Sequence, residues 1–202
     1  MQVPEFTVEQ LKQLPLRAMV AFAVRCARRV EHMAQLPDDS PARESHRAAI
    51  DAGLRMAEQF AGTPDARVEV SVVERMGAIA AVSGGTALNR SALASAAAAA
   101  HTAACACHML EIRKDEQYRP ALTEEPFAAK VILGFEHVEA DLAALDAYSA
   151  ASEAFACIGY NNEDFVSAGV RDFERLLSLK LGKFPEPGLP INPTADGPLG
   201  RI

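Results

Sequence analysis

The sequence predicts an all-α fold: an antiparallel bundle of about five to seven helices over residues 1–181, followed by an extended Pro/Gly-rich tail over residues 182–202. Three observations carry that expectation. About one residue in five is Ala, β-branched residues are sparse and Trp is absent, a composition that favours helix over strand. Apolar residues recur at spacings of three and four over long stretches. Proline and glycine fall between those stretches until Gly182, beyond which Pro185, Pro187, Pro190, Pro193 and Pro198 exclude further helix.

After a short turn over residues 7–14, the first long helix is expected over residues 15–35, with Pro15 suited to the N1 position. Leu16, Met19, Val20, Ala23, Ala27 and Val30 give it a wide apolar stripe. Pro37-Asp38-Asp39-Ser40-Pro41 breaks it, and Ser40 is the expected N-cap of a second helix with Pro41 and Glu44 in its first turn. Ile50, Leu54, Ala57 and Phe60 form the inner face of that helix, and Gly62-Thr63-Pro64 ends it. A third helix is read over residues 65–82, although Val68-Glu69-Val70-Ser71-Val72 alternates like a strand.

Ser83-Gly84-Gly85-Thr86 is a turn, and residues 87–112 re-enter a helix whose face is nearly all Ala, as suits a central, closely packed position. A polar loop with Pro120 follows. Pro126 then opens the longest helix, which reaches Ile158. Along it Val131, Phe135, Val138, Leu142, Leu145, Ser149 and Ser152 alternate at four and three, the spacing of a seam in an antiparallel bundle. Asn162 is the expected N-cap of a last helix marked by Val166, Val170, Phe173, Leu176 and Leu177.

A chain of 202 residues can bury one sizeable core without disulfides or metal staples. The net charge of −7 argues against a general nucleic-acid coat, which needs clustered Lys and Arg to displace counterions. Cys26, Cys105, Cys107 and Cys157 follow no disulfide spacing and fit a reducing cytosol. The N-terminus lacks the basic start and apolar run of a secretory signal, and the most apolar window, residues 92–107, is Ala interrupted by Ser95, His101 and Thr102. The expectation is a cytoplasmic protein without a membrane span.

Two constellations carry chemistry. His101, Cys105 and His108 lie at i, i+4 and i+7, so they project from one face of the Ala-rich helix, with Glu111 extending the stripe. Borderline metals such as zinc take such donors, but one helix supplies three ligands poorly, so a neighbouring helix would have to add one. The competing reading is ordinary packing of a small buried thiol together with a helix–helix hydrogen bond. Arg17, Arg25, Arg28, Arg29 and His32 form a basic stripe on the first helix, the best candidate for an anionic partner. Glu139, Asp146 and Glu153 recur every seven residues on the longest helix and could simply face that stripe.

Other templates fail at a required residue. Cys105-Ala106-Cys107-His108 has one residue, not two, between its cysteines, so it is no haem-attachment motif. No Glu precedes a His by three, as di-iron bundles require: those positions hold Arg29, Arg43, Ala98, Cys105 and Gly134. Ser83-Gly84-Gly85-Thr86 lacks the lysine of a phosphate loop, and no nucleophile–His–acid pattern emerges. No cofactor is implied.

The segments LPLRAMVAFAVRCARR (14–29), ESHRAAIDAGLRMAEQFAG (44–62) and DFERLLSLKLGKFPEPGLPINPTADGPLG (172–200) resemble an uncharacterised family of Ala-rich helical proteins that occur in many paralogous copies in planctomycete bacteria. The resemblance spans nearly the whole chain. Its most specific part is Leu181-Gly182-x-Phe184-Pro185 with Pro190-Ile191-x-Pro193 and Gly197-Pro198-Leu199-Gly200. It implies a bacterial cytosolic protein and brings no activity, cofactor or catalytic residue with it. The His/Cys stripe stands apart as a feature of this chain.

The leading expectation is therefore a non-enzymatic interaction module that meets a protein partner or a second copy through the basic stripe or the tail. The alternative is a small metal- or ligand-binding helical protein using His101, Cys105 and His108 with a donor from a neighbouring helix.

Overall fold

The computed structural model describes residues 6–34, 42–82, 86–114, 126–158 and 162–202, and every regular element among them is helical. Thr7 opens the chain with a capping box. Its hydroxyl accepts the Gln10 amide at 3.2 Å while the Gln10 side chain accepts the Thr7 amide at 2.9 Å, which turns part of the expected loop into α1 (Val8–Leu11). Pro15 is extended (φ −68°, ψ 162°) and stands just ahead of α2 (Leu16–Val30) as its N-cap, not at N1. A 3₁₀ turn, Glu31–Met33, ends that helix earlier than expected.

Helix α2 is the axis of the molecule. Thirteen of its fifteen residues are buried, so the one-sided stripe read from the sequence is too narrow. It packs against α3 (Arg43–Gly62), α5 (Ala87–Lys114), α6 (Pro126–Ile158) and α7 (Glu163–Ser178). Phe22 joins Phe6 and Phe173 edge-on at centroid distances of 5.2 and 5.9 Å, and Phe155 stacks on Phe6 at 5.8 Å, so one aromatic cluster ties α2, α6 and α7 together.

The N-cap of α3 is Ala42 rather than Ser40, and Ser40 itself lies outside the described residues along with the Pro37–Pro41 break. The expected inner face of α3 is correct: Ile50, Leu54, Ala57 and Phe60 are all buried. Helix α4 (Val70–Val82) begins only after Ala66, Arg67, Val68 and Glu69, which carry no regular structure. It meets α3 closely at Gly53, where a Cβ would stand 2.9 Å from Met76 Cγ. The turns expected at 83–86 and 159–162 and the loop expected at 114–125 fall largely outside the described residues, which omit 83–85, 115–125 and 159–161. Asn162 caps α7 as expected, its Oδ1 accepting the Phe165 amide at 3.2 Å.

Helices α5 and α6 make the most extensive helix pair in the fold. Ala92, Ala96, Ala99, Ala103 and Ala106 of α5 and Ala140, Ala143, Ala144, Ala147, Ala150, Ala151 and Ala154 of α6 are all fully or almost fully buried. Methyl-sized side chains let helix backbones approach closely and replace bulk with many short dispersion contacts. The Val/Leu seam expected inside the bundle lies on the opposite face of α6: Val138, Leu142 and Leu145 are 55%, 39% and 48% exposed. Because α6 packs against both α2 and α5, its inner face has room for Ala and not for Leu. Val131 and Phe135 of that seam lie outside the residues whose side chains are described.

Beyond Ser178 the described chain has no further helix and proceeds through turns. This segment docks. Ile191 and Leu199 are buried in the common core, and the Ile191 amide donates to Ala61 O at 2.8 Å. The carbonyls of Glu186 and Pro187 accept the first two amides of α2, from Leu16 and Arg17, at 3.0 and 2.9 Å, satisfying a helix start that has no side-chain cap. Gly188, at φ +75°, lies where a Cβ would come within 2.6 Å of Pro15.

The basic stripe is largely internal, which overturns its role as a docking face. Arg25 is 1% exposed and spends its guanidinium inside the protein: Nε and Nη2 donate to Asp172 at 2.7 and 3.2 Å, and Nη1 donates to the carbonyls of Pro193 and Gly200 at 2.8 and 2.9 Å. Arg17 is also buried and donates to the carbonyls of Phe60, Thr63 and Pro64, where α3 leaves unpaired acceptors at the negative end of its dipole. Arg28 binds Glu58 at 2.8 and 3.0 Å as well as Glu31 and Asp51, and Arg29 donates to Asp172 at 2.5 Å. Only His32 is exposed.

Removing Arg25 leaves the buried Asp172 carboxylate to Arg29 alone and frees the tail carbonyls together. Arg25→Ala is expected to lower unfolding free energy by about 3–5 kcal/mol, read by urea denaturation, and to make residues 190–202 the first site of limited proteolysis.

Candidate metal centre

Helices α5 and α6 run antiparallel, so residues seven apart on one meet residues seven apart on the other. His101 Nδ1 lies 2.6 Å from Asp146 Oδ2, and His108 Nδ1 lies 3.2 Å from Glu139 Oε1. The acidic stripe of α6 therefore faces the histidine stripe of α5 and not the arginines of α2. Glu153, the third acid, has no such histidine opposite it.

One turn beyond His101, Cys105 turns its thiol into the same contact. Its Sγ is 3.8 Å from His101 Nδ1 and 3.8 Å from Asp146 Oδ2, and the three donor atoms lie within 4.8 Å of one another. The structure thus supplies the donor from a neighbouring helix that the sequence requires, but it corrects the set. His101 and Cys105 converge with Asp146, while His108 is drawn away to Glu139. A tetrahedral zinc site with such ligands has donor–donor edges of about 3.3–3.6 Å. The two sulfur distances need to close by a few tenths of an ångström and the N···O hydrogen bond to open by ~0.7 Å.

The arrangement is not a nucleophilic relay. In a relay the base uses one ring nitrogen for the nucleophile and the other for the acid. Here a single nitrogen, Nδ1, faces both the thiol and the carboxylate. Three donor atoms within 4.8 Å of one another, from two helices, make a candidate coordination site instead.

Electrostatics agree with the geometry. The Asp146 hydrogen bond, reinforced by Cys105 and opposed by burial, raises the His101 imidazolium from 6.5 to about 10. Burial pushes the Cys105 thiol up, with the His101 hydrogen bond pulling the other way. Cys26, buried throughout, is pushed up to about 12, and Cys157 up to about 11 by burial and then by Glu153. All four thiols are free and buried, but among the described residues Cys105 alone shares its position with a histidine and a carboxylate. The His101 side chain is 52% exposed and that of Asp146 23%, so the convergence point opens to solvent along the α5/α6 edge.

Helix α5 is, among the described residues, the one helix long and apolar enough to cross a membrane by length and composition. Its apolar character is alanine, and 61% of the relevant window is buried against other helices. Comparison of the chain with protein-family models, curated proteins and solved structures gives no match. Asp146 was legible only as part of a seven-residue acidic repeat, and its equal spacing with His101 and His108 is the signal that pairs the two helices.

A raised pKa sets the sign of the pH dependence. His101 binds its proton more tightly folded than unfolded, so its contribution to stability is complete below about pH 6.5 and vanishes as pH rises through about 10. In chelator-treated protein the unfolding midpoint should fall across that window, and His101→Gln should flatten the decline.

Proposed function

We propose that this chain is a metal-binding helical protein that holds a zinc-like divalent ion between α5 and α6. The observation supporting this reading is the convergence of His101 Nδ1, Cys105 Sγ and Asp146 Oδ2, from two helices, on one solvent-facing point. An imidazole, a thiolate and a carboxylate are the donor types that a borderline cation takes, and a fourth position remains for water or a ligand. Binding displaces one proton from His101 and one from Cys105, so apparent affinity rises steeply with pH.

Titration with cobalt(II) tests it, because a thiolate ligand gives an intense sulfur-to-metal charge-transfer band. One equivalent is expected to bind with that band at about pH 8 and much more weakly at about pH 6. Cys105→Ser should abolish the band, His101→Ala and Asp146→Asn should remove stoichiometric binding, and His108→Ala should leave both intact. Cobalt binding without the band, or a band that survives Cys105→Ser, would refute the site.

A second reading, self-association, is favoured by the exposed Val138, Leu142 and Leu145 face of α6. The occupant that fits is the same face of a second copy, packed antiparallel about Leu142 so that Val138 meets Leu145. The flanks do not oppose this, because Asp146 and Glu139 are paired with His101 and His108 on one side and Asp141 with Lys12 on the other. Light scattering should find a dimer that Leu142→Glu converts to a folded monomer. A wild-type monomer at all accessible concentrations would end this reading.

A further inference from the structure

We infer that the cavity between the α3–α4 connection and the last two turns of α5 binds a free α-amino acid with a compact apolar side chain. The cavity, of about 300 Å³, has residues 64–67 on one wall and Cys107, Leu110, Glu111 and Lys114 on the other. Ligand pockets run from about 300 to 1,000 Å³, so this one admits a molecule of a few carbons and excludes a nucleotide.

Its walls are pinned before any ligand arrives. Helix α3 ends at Gly62, and Arg17 of α2 fixes the chain beyond it by donating to the carbonyls of Thr63 and Pro64 at 2.6 and 2.5 Å. Farther along the connection, Val68 packs against the core and its amide faces the sulfur of Cys107, which is 6% exposed. A wall anchored at both ends spares a ligand the cost of ordering it.

The charges around the cavity are of both signs and sum to zero, two cations against two carboxylates. Asp65 and Lys114 approach each other loosely, at 3.9 Å. Arg67 and Glu111 are exposed on opposite walls, and neither has an ion-pair or hydrogen-bond partner among the described residues. A lone anion or a lone cation would satisfy one wall and be repelled at the other. A ligand with a carboxylate and an ammonium on one carbon satisfies both: the carboxylate takes the planar fork of Arg67, and the ammonium donates to Glu111. Between the charges lie Pro64, Leu110 and the Cys107 thiol. Burial pushes that thiol up, so it stays neutral and serves as a small hydrophobe under the ligand's side chain.

His101, Cys105 and Asp146 are not among the walls, so the test leaves the proposed metal site intact. Calorimetric titration would use L-valine and L-leucine, each alongside its N-acetyl derivative, which lacks the ammonium, and its amide, which lacks the carboxylate. Saturable binding of at least one free amino acid is expected, weakened about tenfold or more in both of its derivatives. Arg67→Gln and Glu111→Gln, exposed changes that should leave circular dichroism and melting unaltered, are each expected to weaken the free amino acid by a similar factor. Arg67→Gln should also remove the remaining affinity for the N-acetyl derivative, and Glu111→Gln that for the amide. No saturable heat with either amino acid, derivatives that bind as tightly as their parents, or undiminished binding in the two variants would overturn the inference.

Discussion

The fold depends on a match between a side chain that can only donate hydrogen bonds and a chain segment that has too few donors of its own. Pro185, Pro187, Pro190, Pro193 and Pro198 remove amide hydrogens from the last stretch of the protein while leaving every carbonyl in place. Such a segment cannot form a ladder with itself. Arg25 presents five N–H groups and no acceptor, and from a fully buried position it takes up Pro193 and Gly200 carbonyls together with Asp172 of α7. Arg17 does the same for the end of α3. The return favour is at the start of α2, whose first amides are capped by Glu186 and Pro187 carbonyls. The central helix and the tail therefore complete each other, and the start of α2 is satisfied by tail carbonyls rather than by a side-chain cap.

Burying Arg25 is tolerable only because its charge meets a carboxylate and several oriented carbonyl dipoles at once. A hydrophobic replacement of similar size could match it in free energy, yet it would not select the position of the tail. Direction, rather than stability, is what the guanidinium contributes: it fixes which carbonyls lie where, and so places Ile191 and Leu199 in the core.

Much of this was legible in the sequence and some was not, for identifiable reasons. The helices over 126–158 and 163–178 were readable because Pro126 and Asn162 punctuate them. The orientation of α6 was not, because its Ala143, Ala147, Ala150 and Ala154 repeat at helical spacing as faithfully as Val138, Leu142 and Leu145 do. Two opposed faces of one helix satisfied the same periodicity, and packing against two neighbours at once chose the smaller. Burial of Arg17 and Arg25 was hidden because their acceptors lie far along the chain, although α2 is apolar around nearly its whole circumference, a mark of a buried helix. For the proposed metal site, His101 and Cys105 were readable from spacing, whereas Asp146 required the antiparallel register.

The inverted packing of α6 has a chemical consequence. If Leu142 and Leu145 pointed inward, α5 and α6 would stand farther apart, and side chains at their shared edge would meet through solvent. With alanine inside, the backbones approach closely enough for a short aspartate to reach, across the gap, the histidine nitrogen that a cysteine one turn along the same helix also faces. The same closeness makes the proton at that nitrogen a strong competitor, because every group that would coordinate a cation also stabilises the imidazolium. Metal and proton thus draw on one set of interactions, and a cation holds the site only where its bonds to sulfur and nitrogen exceed what two protons gain there. Thiolate coordination is the term that favours the metal, since it rewards a soft or borderline cation and gives the proton no comparable advantage. Cys105 is therefore the residue that separates a solvent-facing ion pair from the proposed metal centre.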